Sequence, residues 1–397
     1  MAVAYIIFAL DLMNTFFYNA VFVRTVLGLK GSYTFIGIAG SCSALLCFLW
    51  KPIAGSLSDK RGTSKLLTWC LFAGLIAPIL TYASQSLKYL FLCRLLLAFS
   101  SPSQVLLRTI ITNNANEKQS EALAKLGMVA AVFISSAALI IGFLLDRANG
   151  LDYIYGIMVV NAVSNLILTQ FLPSSEVLQN QAESTAIDQI TTPLKNLKTL
   201  STSETYCDIF LSKALVALSF GIVDSNAVLV FMAKGITGEY IGYLVTMLFF
   251  NMFLVNILQG RMNKMFYKND DGYQRALHAS IIIVITLLAQ GFSTQLWIFV
   301  MGINIMAFFR TVLDNSTMEN LLKKVNVEEK ATVMSSFDSI QSLTELTAPL
   351  VAGLVLEYLG IPILYLISAI LFAMQCSLVY KRKNITNNVT SQIKKEN

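Results

Sequence analysis

The residues able to do chemistry in this chain are ionisable side chains placed in apolar surroundings. Asp11 lies in the apolar run 2–23 and Arg94 in 87–107. Lys213 and Asp224 lie in 206–232, Arg310 and Asp314 in 295–315, and Asp338 and Glu345 in 334–357. Carrying a charged group into hydrocarbon costs roughly 2.5–3.5 kcal/mol or more, so such groups face a partner or a wet cavity and mark pathways for ions and solutes. A carboxylate in such a place can take up and return a proton, which is the chemistry of coupling proton flow to solute movement. Spacing adds detail. Arg310 and Asp314 are four residues apart, hence on one helical face, and are expected to form a structural ion pair. Asp224 lies eleven residues beyond Lys213, three turns along the same face, and Asp338 and Glu345 share a face at a spacing of seven.

Twelve apolar runs must position these groups: 2–23, 33–54, 66–84, 87–107, 122–145, 152–172, 206–232, 239–259, 275–293, 295–315, 334–357 and 361–380. Each is long enough for a spanning helix of about 20 residues. The composition agrees, with 55% hydrophobic and 13% charged residues and a mean hydropathy of +0.65 over 397 residues. A soluble domain carries about 25% charged residues. The expected fold is therefore an all-α membrane protein of twelve transmembrane helices in two six-helix halves. Residues 1–173 form the first half, the polar stretch 174–205 a linker, 206–380 the second half and 381–397 a basic tail. Met1–Val23 holds Asp11 and lacks a basic leader, so it reads as the first span, not a signal peptide.

Basic residues set the expected orientation. With both termini and the even-to-odd loops in the cytosol, only Arg24, Lys30, Lys88, Arg147 and Lys234 fall on the opposite side. Lys51, Arg94, Lys213 and Arg310 fall within spans, and the other 20 of the 29 bases are cytosolic. The sequons at Asn384 and Asn388 are then on the cytosolic tail and unmodified. The net charge of +6 follows membrane loops and does not point to nucleic acid. The six cysteines read as small core residues, and the single histidine, His278, builds no metal site. No cofactor or metal is expected, and with no nucleophile–base set or phosphate loop the chain does not read as an enzyme. Aromatic stripes such as Phe16-Phe17-Tyr18 and Phe249-Phe250-Asn251-Met252 read as lipid-facing packing ahead of solute lining.

The halves echo each other. Arg108-Thr109 after the fourth run matches Arg310-Thr311 in the tenth, Ala137–Gly142 matches Ala348–Gly353, and Gly55 matches Gly260, at offsets of 202, 211 and 205 residues. Ordered matches at a near-constant offset indicate parallel repeats, the construction of two transporter halves around a midplane site.

The sharpest motif is Gly55-Ser56-Leu57-Ser58-Asp59-Lys60-Arg61-Gly62-Thr63-Ser64-Lys65, between runs two and three. It resembles the signature loop of the major facilitator superfamily at Gly55, Asp59, Lys60, Gly62 and Lys65, and departs from it at Ser64. Gly55 is expected to let helices approach closely and Gly62 to permit a tight turn. Asp59 is expected to act as a conformational latch at the amino end of a facing helix. Arg94 stands where that superfamily carries a membrane-embedded arginine, although Leu97-Ala98 replaces the usual glycine. Ala348-Pro349-Leu350-Val351-Ala352-Gly353 resembles an element of proton-coupled antiporters, with small-residue packing as the alternative. More narrowly, the chain resembles the organic cation transporter-like group around solute carrier 22 member 18, itself similar to tetracycline and multidrug antiporters. That likeness rests on Gly55–Gly62, Leu123–Gly127, Ile209–Lys213, Ile241–Leu244 and Ser339–Gly353. Glu345 falls where that group is expected to carry a base.

The resemblance implies spans one, four, seven and ten around a central cavity, which makes Asp11, Arg94 and Asp224 the cavity candidates; Lys213 and Glu345 complete the set of transport and coupling candidates. A permanent pairing of Asp11 with Arg94 or Lys213 is the bland alternative. It also implies alternating-access, proton-coupled export of organic cations or drug-like solutes, with a small organic solute, protons and the bilayer as partners. A metabolite facilitator or symporter and a non-transporting sensor or scaffold are the rivals.

Overall fold

The computed structural model describes residues 2–113, 119–145, 147–172, 195, 198–199, 202–203, 206–225, 227–267, 272–324 and 330–396. The described chain is almost wholly helical. α1 (Ala2–Gly28), α2 (Tyr33–Arg61) and α3 (Thr63–Tyr82) lead into α4 (Leu87–Ala98) and α5 (Ser103–Asn113), then α6 (Gln119–Leu145) and α7 (Gly150–Thr169). α8 (Cys207–Asp224) and α9 (Ala227–Ala233) precede α10 (Gly238–Phe266), α11 (Tyr273–Phe292) and α12 (Leu296–Lys324). α13 (Lys330–Tyr358) and α14 (Gly360–Glu396) close the order.

Among the described residues ten segments are long and apolar enough to cross a bilayer, one of them being α4 and α5 together. The pair α8–α9, bent by 46°, makes an eleventh. α10, with 29 residues, stands at the place of the run 239–259. The architecture is the all-α, twelve-helix membrane fold. Large apolar side chains at helix ends are exposed, among them Tyr82, Tyr153, Trp297 and Tyr358. Amphipathic rings at such positions suit the two bilayer interfaces. The linker expected over 174–205 lies largely outside the described residues, and α14 continues as helix through the stretch 381–396 expected as a tail.

Span four is not continuous. Pro102 has no N–H to give to Ala98 O and cannot sit inside a helix without breaking it. Ser100 N and Ser101 N instead make tight turns to Leu97 O at 2.9 Å and Ala98 O at 3.2 Å, and α5 restarts with Leu106 N on Pro102 O at 2.9 Å. Pro78 interrupts the ladder of α3 in the same way, depriving Gly74 O of its intrahelical donor.

The chain divides into two compact units: Met1–Thr191 with Val228–Thr246, and Thr192–Ala227 with Met247–Asn397. In the first, α1 packs on α5, α6 and α7, and α3 on α4 and α7. Its core holds Phe17 and Tyr18, both essentially inaccessible. These two rings therefore face protein, not lipid as expected, because α1 is surrounded by neighbours. In the second unit, α11 packs on α12 and α14, and α8 on α13 and α14. In lipid, packing and close backbone approach hold helices together where hydrophobic burial cannot. Gly221 of α8 shows this, since a Cβ there would sit 2.8 Å from Ala348 Cβ and from Thr344 Cγ2 of α13. Gly142 of α6 likewise faces Gly242 of α10, where its Cβ would lie 2.8 Å from Gly238 O.

Candidate functional site

Asp11 is buried, 8% exposed in the middle of α1. Its Oδ2 accepts from Ser103 Oγ at 2.6 Å. Ser103 can reach it because the break after α4 places the first residue of α5 beside α1. The amino end of α5, with its free N–H groups, also favours a negative group there. No basic side chain lies within ion-pair distance of Asp11 among the described residues.

Around Asp11 is a small cavity in the first unit. Asn14 and Thr15 of α1, Gly74 and Pro78 of α3, Leu97 and Ser100 at the break, and Met158 and Asn165 of α7 contribute to its wall. Asn14 is held by two bonds to α7: its Nδ2 donates to Met158 O at 3.1 Å, and its Oδ1 accepts from Asn161 Nδ2 at 3.3 Å. Asn165 is 1% exposed, and neither its Oδ1 nor its Nδ2 has a hydrogen-bond partner.

Arg94 sits on α4, two turns away from the break. Its Nη1 donates to Asn19 Oδ1 at 2.7 Å, and its guanidinium carbon lies 5.5 Å from the Tyr18 ring centre and 5.1 Å from that of Phe22. Tyr18 is itself anchored, its hydroxyl 3.0 Å from Thr81 Oγ1. Arg94 Nε is buried with no partner, and no carboxylate pairs with the residue among the described residues. Asp11 and Arg94 are thus both held by neutral groups. The bland pairing of Asp11 with Arg94 is not formed among the described residues.

The second unit handles its charges differently. Arg310 Nη1 donates to Asp224 Oδ2, and the Arg310 guanidinium lies 4.2 Å from the Phe220 ring centre. Lys213 Nζ lies 3.6 Å from Asp314 Oδ1 and 5.3 Å from the Phe337 ring centre. The expected pair within α12, Arg310 with Asp314, is therefore replaced by two pairs between α8 and α12. The reason is geometric. A base placed before an acid at this spacing is the weaker orientation on a helix, and each side chain has an opposite charge on the adjoining helix. Two further pairs, Arg275 with Glu319 at 2.8 Å and Arg382 with Asp208, lie in this unit. Glu345 is exposed on α13 and makes no ion pair among the described residues. The side chain of Asp338 lies outside the described ones.

The signature loop is partly described. Gly62 caps α2 and opens α3 with φ 90° and ψ 132°, a backbone that L side chains rarely adopt. Lys65 is exposed in the first turn of α3. The side chains of Asp59 and Lys60, and so the latch expected of Asp59, lie outside the described residues. Gly55 corrects its expectation, because nothing among the described residues comes within 4 Å of a Cβ built there. The close approaches fall instead at Gly142 and Gly221.

Sequence reasoning passed over Ser103, Asn14, Asn19, Asn161 and Asn165. A signal was present. Asp11, Asn14 and Thr15 follow the i, i+3, i+4 rule, and Asn161 and Asn165 are four apart, which marks one polar face on each of two apolar helices.

The Major Facilitator Superfamily model matches this sequence over residues 1–223 and again over 209–395. The chain belongs to the major facilitator superfamily. Solved structures of similar fold cover nearly all of this major facilitator protein. The human organic anion transporter MFSD10 (TETRAN) is 17% identical, with 95% of this chain and 98% of that chain covered and a TM-score of 0.65. The nucleoside transporter NupG is 15% identical, with 96% and 98% covered and a TM-score of 0.71. A bacterial homologue of the human lysosomal transporter Spinster, in an inward-facing and occupied conformation, is 13% identical, with 96% of each chain covered and a TM-score of 0.74. Likeness at such identities concerns the fold alone. No curated protein matches the chain in sequence.

Proposed function

We propose that this major facilitator protein is a secondary transporter that exports organic cations or drug-like solutes by alternating access, driven by protons, with Asp11 as the proton-carrying group. The observation that carries the reading is Asp11 itself: a carboxylate buried in α1 with one neutral donor and, among the described residues, no base beside it. A charge left so exposed to a low-dielectric cost is characteristic of a group that changes its protonation state during a cycle. The cytosolic placement of both termini, and the likeness to the solute carrier 22 member 18 group, belong to the same reading. They are supported by the basic-residue bias and by the motif at Gly55–Lys65.

Purified protein in proteoliposomes tests it. An imposed pH gradient should drive flux of a lipophilic organic cation, and Asp11→Asn should remove the gradient dependence. Flux that ignores the gradient would instead establish a facilitator, and absence of any solute flux a sensor or scaffold.

A second reading concerns the solute's charge. Arg94 is a cation without a carboxylate, walled by Tyr18 and Phe22, with a buried Nε awaiting an acceptor. That arrangement favours an organic anion with an aromatic body. Flux of a matched anion and cation, each measured with Arg94→Gln, decides between the two: loss of anion flux alone selects the anion.

A further inference from the structure

The cavity beside Asp11 is rich in lone pairs. Each hydroxyl on its wall has turned its proton away. Thr15 Oγ1 donates to Asp11 O at 3.0 Å and Ser100 Oγ to Leu97 O at 2.7 Å. Ser103 Oγ spends its proton on Asp11 Oδ2, and Asn14 Nδ2 donates to Met158 O. The lining residues bring the Asp11 carboxylate, the hydroxyls of Thr15 and Ser100, and Asn165, whose Oδ1 is buried and unpartnered. Gly74, whose carbonyl Pro78 cannot serve with an N–H, belongs to the same wall. The carboxyl end of α4 at Leu97–Ser100 also borders the cavity, adding the negative end of a helix dipole. Against this set stand the amide N–H groups of Asn165 and the second N–H of Asn14 Nδ2.

An acceptor-rich, negatively charged hole with no base nearby suits a cation. Size narrows the choice. The cavity offers about 10 Å³ to the centre of a water-sized occupant, about one water molecule. Hard oxygen donors select alkali and alkaline-earth ions, and a single carboxylate matches a single positive charge. Broken spanning helices whose freed carbonyls and carboxyl ends face a hole are a recurring construction for sodium.

We propose that this cavity is a sodium site, with Asp11 and Asn165 as its principal ligands and Thr15, Ser100 and the Gly74 carbonyl completing the oxygen shell. The site lies wholly within the first unit and is complete without a solute. Sodium occupancy goes beyond the proton coupling proposed above. It can be read as binding, whether or not solute moves.

Thermal unfolding of the full-length protein in detergent tests this at fixed pH and ionic strength, with choline chloride replaced stepwise by sodium chloride. Saturable binding to the native state should raise the melting temperature by about 2–4 °C, with potassium giving a smaller rise. Asp11→Asn and Asn165→Leu should each abolish the sodium-specific rise, and Thr68→Ala on the outer side of α3 should keep it. Asn165→Leu leaves the carboxylate intact, so it decides the matter if Asp11→Asn does not fold. Equal shifts with sodium, potassium and choline, or a sodium shift that survives in Asn165→Leu, overturn the proposal. No sodium response in the unaltered protein overturns it too and makes the cavity a water site, while leaving proton-driven flux to be judged on its own.

Discussion

The two units treat embedded charge in opposite ways. In the second, Arg310 and Lys213 are each matched with a carboxylate on an adjoining helix, Asp224 and Asp314. In the first, Asp11 leans on the hydroxyl of Ser103, and Arg94 on the amide of Asn19 and two rings. A paired charge is nearly neutral to its surroundings and stays where it is. A charge supported by neutral dipoles keeps its field and remains responsive to a proton, an ion or a solute. On the function proposed above, the contrast favours responsive chemistry in the N-terminal unit and a structural role for the ion pairs of the other.

The largest expected effect lies on the responsive side. Asp11→Asn should lower proton-driven flux by about tenfold or more, the scale on which loss of an essential proton-transfer group is felt. Flux traces in proteoliposomes measure it, and a wild-type rate in this variant would erase the distinction between the units. Next come the close helix approaches. Gly142→Val should destabilise by about 1–3 kcal/mol, because its side chain meets backbone and not a movable group. Denaturation midpoints check this, and Gly142 is a control common to neither charge class. Third, the same carboxylate-to-amide change should act differently in the two units. Asp224→Asn strands Arg310, costing about 1 kcal/mol given that the pair is 27% and 45% exposed. Asp11→Asn removes an uncompensated buried charge and should leave the melting temperature unchanged or raise it. Equal melting losses in both would show that Asp11 is as structural as Asp224. Smallest is Gly55→Ala, where open space and a helical backbone predict a gain of about 0.5–1 kcal/mol. Any loss of flux in that stabilised variant would assign Gly55 to the working cycle.

The fold was legible because lipid imposes long apolar runs and loop charge follows a bias. Asp11 and Arg94 stood out for the same reason, being costly residues in apolar runs. Their partners did not. Ser103 and Asn19 lie 92 and 75 residues away from the groups they serve, and periodicity within one helix says nothing about the helix beside it. The same limitation explains Arg310. Spacing of four brought Asp314 onto its face, yet a neighbouring helix offered the better acceptor. The break in span four was within reach, since Pro102 after two serines is a strong stop, but hydropathy averages over it. Gly55 was read through its motif, and only the packing shows that no described residue crowds it.

The interruption at residues 99–102 has one more consequence. Span four grips α1 at two heights, through Arg94 on Asn19 and through Ser103 on Asp11. Because a turn with its own short bonds separates the two grips, a swivel of α5 alone would let go of the carboxylate while the guanidinium held fast. One spanning segment thereby acts as two independently jointed fingers on the same rod.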